Sequence, residues 1–137
     1  MVQKTSAWPL ALVYAVLIVF ASLFPFDGWR AQGIDPLVFL TAKIPPPYWT
    51  WFDININIVG YAPLGFFLAL ALVRSGSPRA AVPLAALAGT LLSLGMEFLQ
   101  IYLPRRVPSN LDLVLNAGGT LLGALVALLL ELSLIHI

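Results

Sequence analysis

Four apolar stretches of about 20 residues each dominate this sequence, and stretches of that length are typical of membrane-spanning helices. They cover approximately residues 8–24, 54–73, 80–103 and 113–132. Of the 137 residues, 61% are hydrophobic and only 9% are charged. A soluble domain of this size buries only about two-thirds of its chain surface, so this much apolar surface needs the bilayer as its solvent. The sequence therefore predicts an all-α integral membrane protein, with residues 1–137 forming a single domain of four transmembrane helices.

Charge and residue usage exclude several function classes. The net charge is +1 and no basic stripe is present, which argues against nucleic-acid binding. The chain has no cysteine, so thiolate metal sites and cysteine nucleophiles are absent. The only histidine, His136, lies at the C-terminal end. A histidine-based metal site or catalytic triad is therefore not expected.

The segment between the first and second stretches, residues 27–48, is long and partly apolar. We expect it to form an interfacial loop that lies on the membrane surface. An aromatic anchor at the interface begins at the end of this segment and consists of Tyr48, Trp49, Trp51 and Phe52. Lysine and arginine are balanced between the two sides of the predicted helices, so the charge distribution does not determine the orientation.

The few polar residues of the apolar regions gather near one membrane face. They are Asp53, Asn57, Glu97, Gln100, Arg105, Arg106, Ser109, Asp112 and Asn116. Ionisable groups inside a membrane are energetically expensive and by default indicate function. This cluster is the predicted functional site.

Part of the cluster belongs to an internal repeat. The repeat consists of Thr50-x-x-Asp53-x-x-x-Asn57-x-x-Gly60 and Ser109-x-x-Asp112-x-x-x-Asn116-x-x-Gly119. Its first two positions resemble a helix capping box, which does not explain the asparagine and glycine positions. On a helix, the aspartate, asparagine and glycine positions of each copy lie on one face and form a column. Two interpretations follow. Either the two copies cap two helices independently, or the two columns face one site. The repeat predicts two related helical hairpins about an axis along the membrane normal.

The third apolar stretch carries a stripe of small and polar residues at steps of three and four, namely Ala86, Gly89, Ser93, Glu97 and Gln100. Glu97 lies about 10 Å inside the helix end at 1.5 Å per residue. We expect this acid to be protonated, paired with Arg105 or Arg106, or hydrogen-bonded to the repeat asparagines. The alternative is a polar clamp between helices that serves packing alone.

The polar positions resemble the two signatures of the VanZ-like membrane protein family. The first is Asp53-x-x-x-Asn57-x-x-Gly60-x-x-Pro63-Leu64-Gly65. The second is Glu97-x-x-Gln100-x-x-x-Pro104-x-Arg106-x-x-Ser109-x-x-Asp112-x-x-x-Asn116-x-x-Gly119. The family's namesake is linked to resistance to the glycopeptide teicoplanin. The resemblance implies a multi-pass protein of the bacterial cytoplasmic (inner) membrane with a role in the cell envelope, and it implies no particular reaction.

Three function classes remain open. In the first, Asn57, Gln100, Arg105, Arg106, Ser109 and Asn116 bind a membrane lipid or a lipid-linked cell-wall precursor, with arginine gripping an anionic group. In the second, a membrane-embedded enzyme uses Glu97 with Asp112 or Asp53 as acid and base. No cofactor is expected, although these carboxylates could alternatively hold Mg²⁺. The third is a small transporter, which would require homo-oligomers because four helices seldom enclose a path.

Overall fold

The computed structural model of the chain describes residues 4–135 and contains five helices and no strand within that range. The helices are α1 (Ala7–Leu23), α2 (Pro36–Leu40), α3 (Trp51–Arg74), α4 (Pro78–Gln100) and α5 (Asn110–Ile135). The all-helical prediction is confirmed over these residues, and His136 lies outside them. Helices α3, α4 and α5 are each long and apolar enough to cross a membrane, whereas α1 is a shorter apolar helix of 17 residues.

The helix ends lie one to three residues from the predicted bounds, and local hydrogen bonding explains two of these differences. Helix α3 begins at Trp51 rather than near residue 54, because Thr50 and Asp53 form a capping box. The Thr50 hydroxyl accepts from the Asp53 backbone N–H (3.1 Å), and the Asp53 carboxylate accepts from the Thr50 N–H (3.0 Å). Helix α4 ends at Gln100 rather than near residue 103. Pro104 disfavours helical geometry in the residue before it, and residues 101–103 tighten into three-residue turns.

Helices α3 and α5 run parallel and contact each other at both ends. Where they begin, the Asn57 side-chain amide donates to the Asp112 carboxylate (3.0 Å). Near their other ends, Arg74 forms an ion pair with Glu131 (2.9 Å). The end of the molecule where α3 and α5 begin is called the site end below. Helix α4 packs against both of these helices, and α1 packs against α3 and α4.

Glycines allow α3 and α5 to approach until their backbones touch. A Cβ atom added to Gly65 of α3 would overlap the Thr120 backbone, and one added to Gly123 of α5 would overlap the Ala62 carbonyl. Gly119, the last position of the repeat, lies in the same contact against the backbone of α3. Small residues have this effect in membranes because no side chain separates the two backbones.

The predicted stripe on α4 faces this pair of helices. It is buried from Gly89 to Gln100, whereas Ala86 is only half-buried. The buried face continues instead through Ala85 and Ala81, which keep the four-residue step and therefore stay on the same side of the helix. Burial of this whole face fixes α4 against α3 and α5.

Helix α1 crosses the α3–α4 pair diagonally. Near its start, the Trp8 indole N–H donates to the Ser75 hydroxyl just beyond α3 (2.8 Å). At its end, Leu23 is buried against Met96 of α4 and against Leu103. Because its two ends rest on different helices, α1 leaves one opening beside α3 at the site end and another towards α4 nearer the opposite end.

The long segment between α1 and α3 is folded onto the site end and includes α2. Several hydrogen bonds join it to residues 101–110. Among them, the Arg30 N–H donates to the Tyr102 carbonyl (3.0 Å), the Gln32 amide to the Ile101 carbonyl (2.7 Å) and the Asn110 amide to the Ala42 carbonyl (2.7 Å). The segment is therefore packed structure rather than a free loop.

Replacing Gly123 by alanine should destabilise the molecule, because the new methyl group has to displace a helix backbone rather than a flexible side chain. Overpacking of this kind costs about 1–3 kcal/mol, which thermal unfolding in detergent would report as a lower Tm. Gly118→Ala is the matched control, since a Cβ at Gly118 meets nothing within 4 Å. Equal Tm values for the two variants would contradict the close α3–α5 contact.

Candidate functional site

The second copy of the repeat caps its helix differently from the first. The Ser109 backbone N–H, just before α5, donates to the Glu97 carboxylate (2.7 Å) rather than to Asp112. The Asp112 N–H reaches the Ser109 hydroxyl only at 3.4 Å. Glu97 thus takes the place that Asp53 has in the first capping box. The Asp112 carboxylate does not fold back onto its own helix start and accepts from the Asn57 amide instead (3.0 Å).

A cleft of about 570 Å³ opens between α1 and α3 at the site end. Four of the predicted site residues line it: Asp53, Asn57, Arg106 and Asp112. Most of the remaining wall is apolar and comes from both helices, including Leu17, Ile18 and Ile56. The structure therefore brings two carboxylates, one amide and one guanidinium into a cavity with apolar walls.

A second cavity, of about 210 Å³, lies beneath the chain that leads into α3. Asp53 and Asp112 line this cavity as well as the cleft, so the two carboxylates stand in the wall between them. Ser109, another predicted site residue, lines only the smaller cavity, together with Tyr48 and Trp49. Part of the aromatic anchor therefore covers the outer side of the carboxylate pair.

The two predicted arginines occupy different positions. Arg106 reaches back over the end of α1, where Nε donates to the Phe24 carbonyl (3.0 Å) and Nη2 to the Ala21 carbonyl (2.5 Å). The last carbonyls of a helix lack partners within it, and a cation there also interacts favourably with the helix dipole. Arg105 is exposed and lines neither cavity. Of the two predicted arginines, only Arg106 faces the cleft.

Three of the predicted site residues lie in the core rather than along the cleft. Glu97 and Asn116 are each 4% exposed. The Asn116 amide donates to the Ser93 hydroxyl (2.9 Å), and the Gln100 amide donates to the Ser22 carbonyl near the end of α1 (2.9 Å). The structure thus matches neither interpretation of the repeat completely. The α3 column lines the cleft, whereas only the acid of the α5 column does.

Two tyrosines of the cleft are not among the residues that the sequence pattern singles out. The Tyr14 hydroxyl donates to the Gly60 carbonyl (2.7 Å). Tyr61 is 5% exposed, and its hydroxyl is enclosed in the core beside Ser93. Tyr14 lies inside an apolar run and Tyr61 directly follows the repeat glycine. A hydroxyl inside an apolar stretch is the signal that could have identified both.

A metal site built from the carboxylates would need its ligands close together. Among residues 4–135, no group of three or more His, Cys, Asp or Glu side chains could hold a metal ion. The Mg²⁺ site considered from the sequence stays a prediction.

Long apolar helices with a polar cleft at one end characterise a multi-pass helical membrane protein. The family model described as VanZ/LLP1 matches residues 8–131, which is nearly the whole chain. The chain therefore belongs to the VanZ-like family, and the family membership predicted from the two signatures is confirmed. Neither the curated proteins nor the solved structures with which the chain was compared gave a match.

Glu97→Gln and Glu97→Leu should differ in stability. The amide oxygen of glutamine can still accept the Ser109 N–H, so we expect this variant to unfold within a few degrees of wild type. Leucine leaves that buried N–H without its partner, which costs about 1–3 kcal/mol. The measurement is thermal unfolding in detergent, with the apolar exchange Met96→Leu as the control for substitution in the same part of the core. A leucine variant as stable as wild type would show that Glu97 does not cap α5.

Proposed function

We propose that this VanZ-like membrane protein binds an envelope amphiphile, either a lipid or a lipid-linked cell-wall precursor, in the cleft between α1 and α3. The observation that supports the proposal is that one cavity joins a polar end to apolar walls. The head group contacts Asp53, Asn57, Arg106 and Asp112. The hydrocarbon chain follows α1 and α3 towards the bilayer.

The rim of the cleft favours a ligand that arrives from the membrane. Leu17 is 55% exposed, Phe52 71% and Ile56 52%. On helices that span a bilayer such side chains contact lipid rather than water. An amphiphile can therefore enter sideways between α1 and α3. The cleft reaches Tyr61, which lies about 12 Å further along α3 than Asp53 at 1.5 Å per residue, so a head group has room to enter.

The proposal includes a topology of four spans in the bacterial cytoplasmic membrane, with the segment that contains α2 at the interface. Helix α1 has 17 residues, or about 26 Å at 1.5 Å per residue, against a hydrocarbon core of about 30 Å. The spans form two related hairpins, α1–α3 and α4–α5. The parallel course of α3 and α5 supports this relation, because corresponding helices of two hairpins run parallel about an axis along the membrane normal.

Catalysis is not part of the proposal. A general acid or base has to lie within hydrogen-bond reach of the proton that it transfers. Glu97, the acid that the enzyme hypothesis depends on, is buried in the core and lines neither the cleft nor the smaller cavity. Its carboxylate is engaged with the start of α5. These positions favour a binding role over the enzymatic one.

Filling the cleft tests lipid binding without altering a polar group. A Cβ at Gly60 meets nothing within 4 Å, so Gly60→Leu should fold while its side chain occupies the cleft. We expect the amount of lipid that co-purifies with each protein molecule, measured by mass spectrometry of solvent extracts, to fall severalfold. Gly118→Leu is the matched control, because its Cβ is equally unopposed and Gly118 lines neither the cleft nor the smaller cavity. Equal lipid content in the two folded variants would exclude the cleft as the binding site.

The envelope role also includes glycopeptide susceptibility, as the family's namesake suggests. A protein that holds a lipid-linked wall precursor changes how much of that precursor teicoplanin can reach. Expression of the wild type in a sensitive Gram-positive host should therefore raise the inhibitory concentration of teicoplanin, and Gly60→Leu at the same membrane level should not. Gly118→Leu should protect as the wild type does. No protection by inserted wild type would remove the antibiotic role and leave lipid binding to be judged by the extracts.

A further inference from the structure

The cleft has more hydrogen-bond acceptors than donors. Asp53 uses one carboxylate oxygen for the Thr50 cap, and Asp112 uses one for the Asn57 amide. The Asn57 side-chain amide donates to the Asp53 carbonyl (2.7 Å) and to the Asp112 carboxylate. The second oxygen of each carboxylate and the side-chain oxygen of Asn57 accept no hydrogen bond from residues 4–135. These three oxygens belong to residues that line the cleft.

The positive charge available to these oxygens is small. Among residues 4–135, Arg106 is the only cationic side chain that lines the cleft, and two of its three nitrogens already donate to carbonyls at the end of α1. Its Nη1 has no partner among the described residues and can still contact an anion. Two carboxylates in the low dielectric of a membrane protein are thus faced by one partly engaged guanidinium. A ligand that brought only negative charge would meet net repulsion at this end.

Tyr61 lines the same cleft as Asp53 and Asp112. Its side chain is 5% exposed, and its hydroxyl is enclosed in the core beside Ser93 rather than open to the cleft. The acceptors considered for a head group are therefore those of Asp53, Asp112 and Asn57.

We propose that the bound head group carries a primary ammonium, received by Asp53, Asp112 and Asn57; this assignment rests on the proposed amphiphile-binding function. An ammonium supplies three N–H donors and one positive charge, and the cleft offers three unengaged acceptor oxygens. An anionic group next to the ammonium, such as a phosphate, meets Nη1 of Arg106. A quaternary ammonium has no N–H to donate, and a hydroxylated head group lacks the charge.

The experiment ranks lipids with identical acyl chains on the purified protein by native mass spectrometry. The probes are phosphatidylethanolamine, phosphatidylglycerol and phosphatidylcholine. We expect phosphatidylethanolamine to bind about tenfold more tightly than the other two, because only it offers charged N–H donors. Asp112→Asn keeps an acceptor for Asn57 but removes the charge, and should abolish most of this preference. Asp27→Asn is the matched control: Asp27 is exposed, follows α1 at the site end and lines neither cavity, so the preference should persist.

Two further arms identify the source of the ammonium. A lipid-linked wall precursor with a free peptide amine is compared with the same precursor acetylated on that amine. If the free amine form displaces phosphatidylethanolamine and the acetylated form does not, the ammonium assignment holds with the precursor as its source. If neither precursor form displaces the phospholipid, the assignment holds with the aminophospholipid as its source.

Other outcomes separate the two proposals. Equal binding of all three phospholipids, reduced in each case by Gly60→Leu, would overturn the ammonium assignment and keep the amphiphile site. No binding of any probe, with no effect of Gly60→Leu on lipid content, would overturn both. Should Asp112→Asn fail to fold, the wild-type ranking decides alone, since it needs no variant.

Discussion

Contact between the backbones of α3 and α5 brings the polar side chains of the site within hydrogen-bonding distance of one another. Asn57 and Asp112 belong to different helices and meet at 3.0 Å, in a packing where a Cβ on Gly119 or Gly123 would strike the opposite backbone. In a bilayer, lipid chains compete with apolar side chains for the helix surface, so close packing and side-chain hydrogen bonds hold helices together. The same contact therefore stabilises the molecule and positions a carboxylate in the cleft.

Glu97 acts on the cleft through another residue. By accepting the Ser109 N–H, its carboxylate supplies the cap that Asp112 would otherwise provide. In the first copy of the repeat, Asp53 itself folds back onto the start of its own helix and accepts the Thr50 N–H. Glu97 is thus a positioning residue, and its burial follows from that role. A deeply buried acid in a membrane helix attracts a catalytic interpretation, and here its hydrogen bond gives a structural reason for its presence.

The sequence predicts the long apolar helices and the family well, because these depend on apolar length and on spacing along one chain. Of the site residues that it singles out, Asp53, Asn57, Arg106 and Asp112 line the cleft. It does not predict that Asn116 contacts Ser93 or that Tyr61 lines the cleft. Those outcomes depend on which helix packs on each face, and no local pattern encodes that. The diagonal course of α1 is likewise a tertiary property, set by where its two ends find partners.

The two repeat columns differ in burial because different helices pack against them. Helix α4 lies close on α5, since a Cβ on Gly89 would overlap the Thr120 side chain, and this packing buries Asn116. Helix α1 diverges from α3 at the site end, so the corresponding residue Asn57 remains beside open space. Two copies of one motif therefore produce one cleft rather than two. The Asp112 carboxylate of the second copy still reaches this cleft, because Glu97 caps the start of α5 in its place. The cleft therefore receives its second acid from α5, whose asparagine and glycine positions are buried.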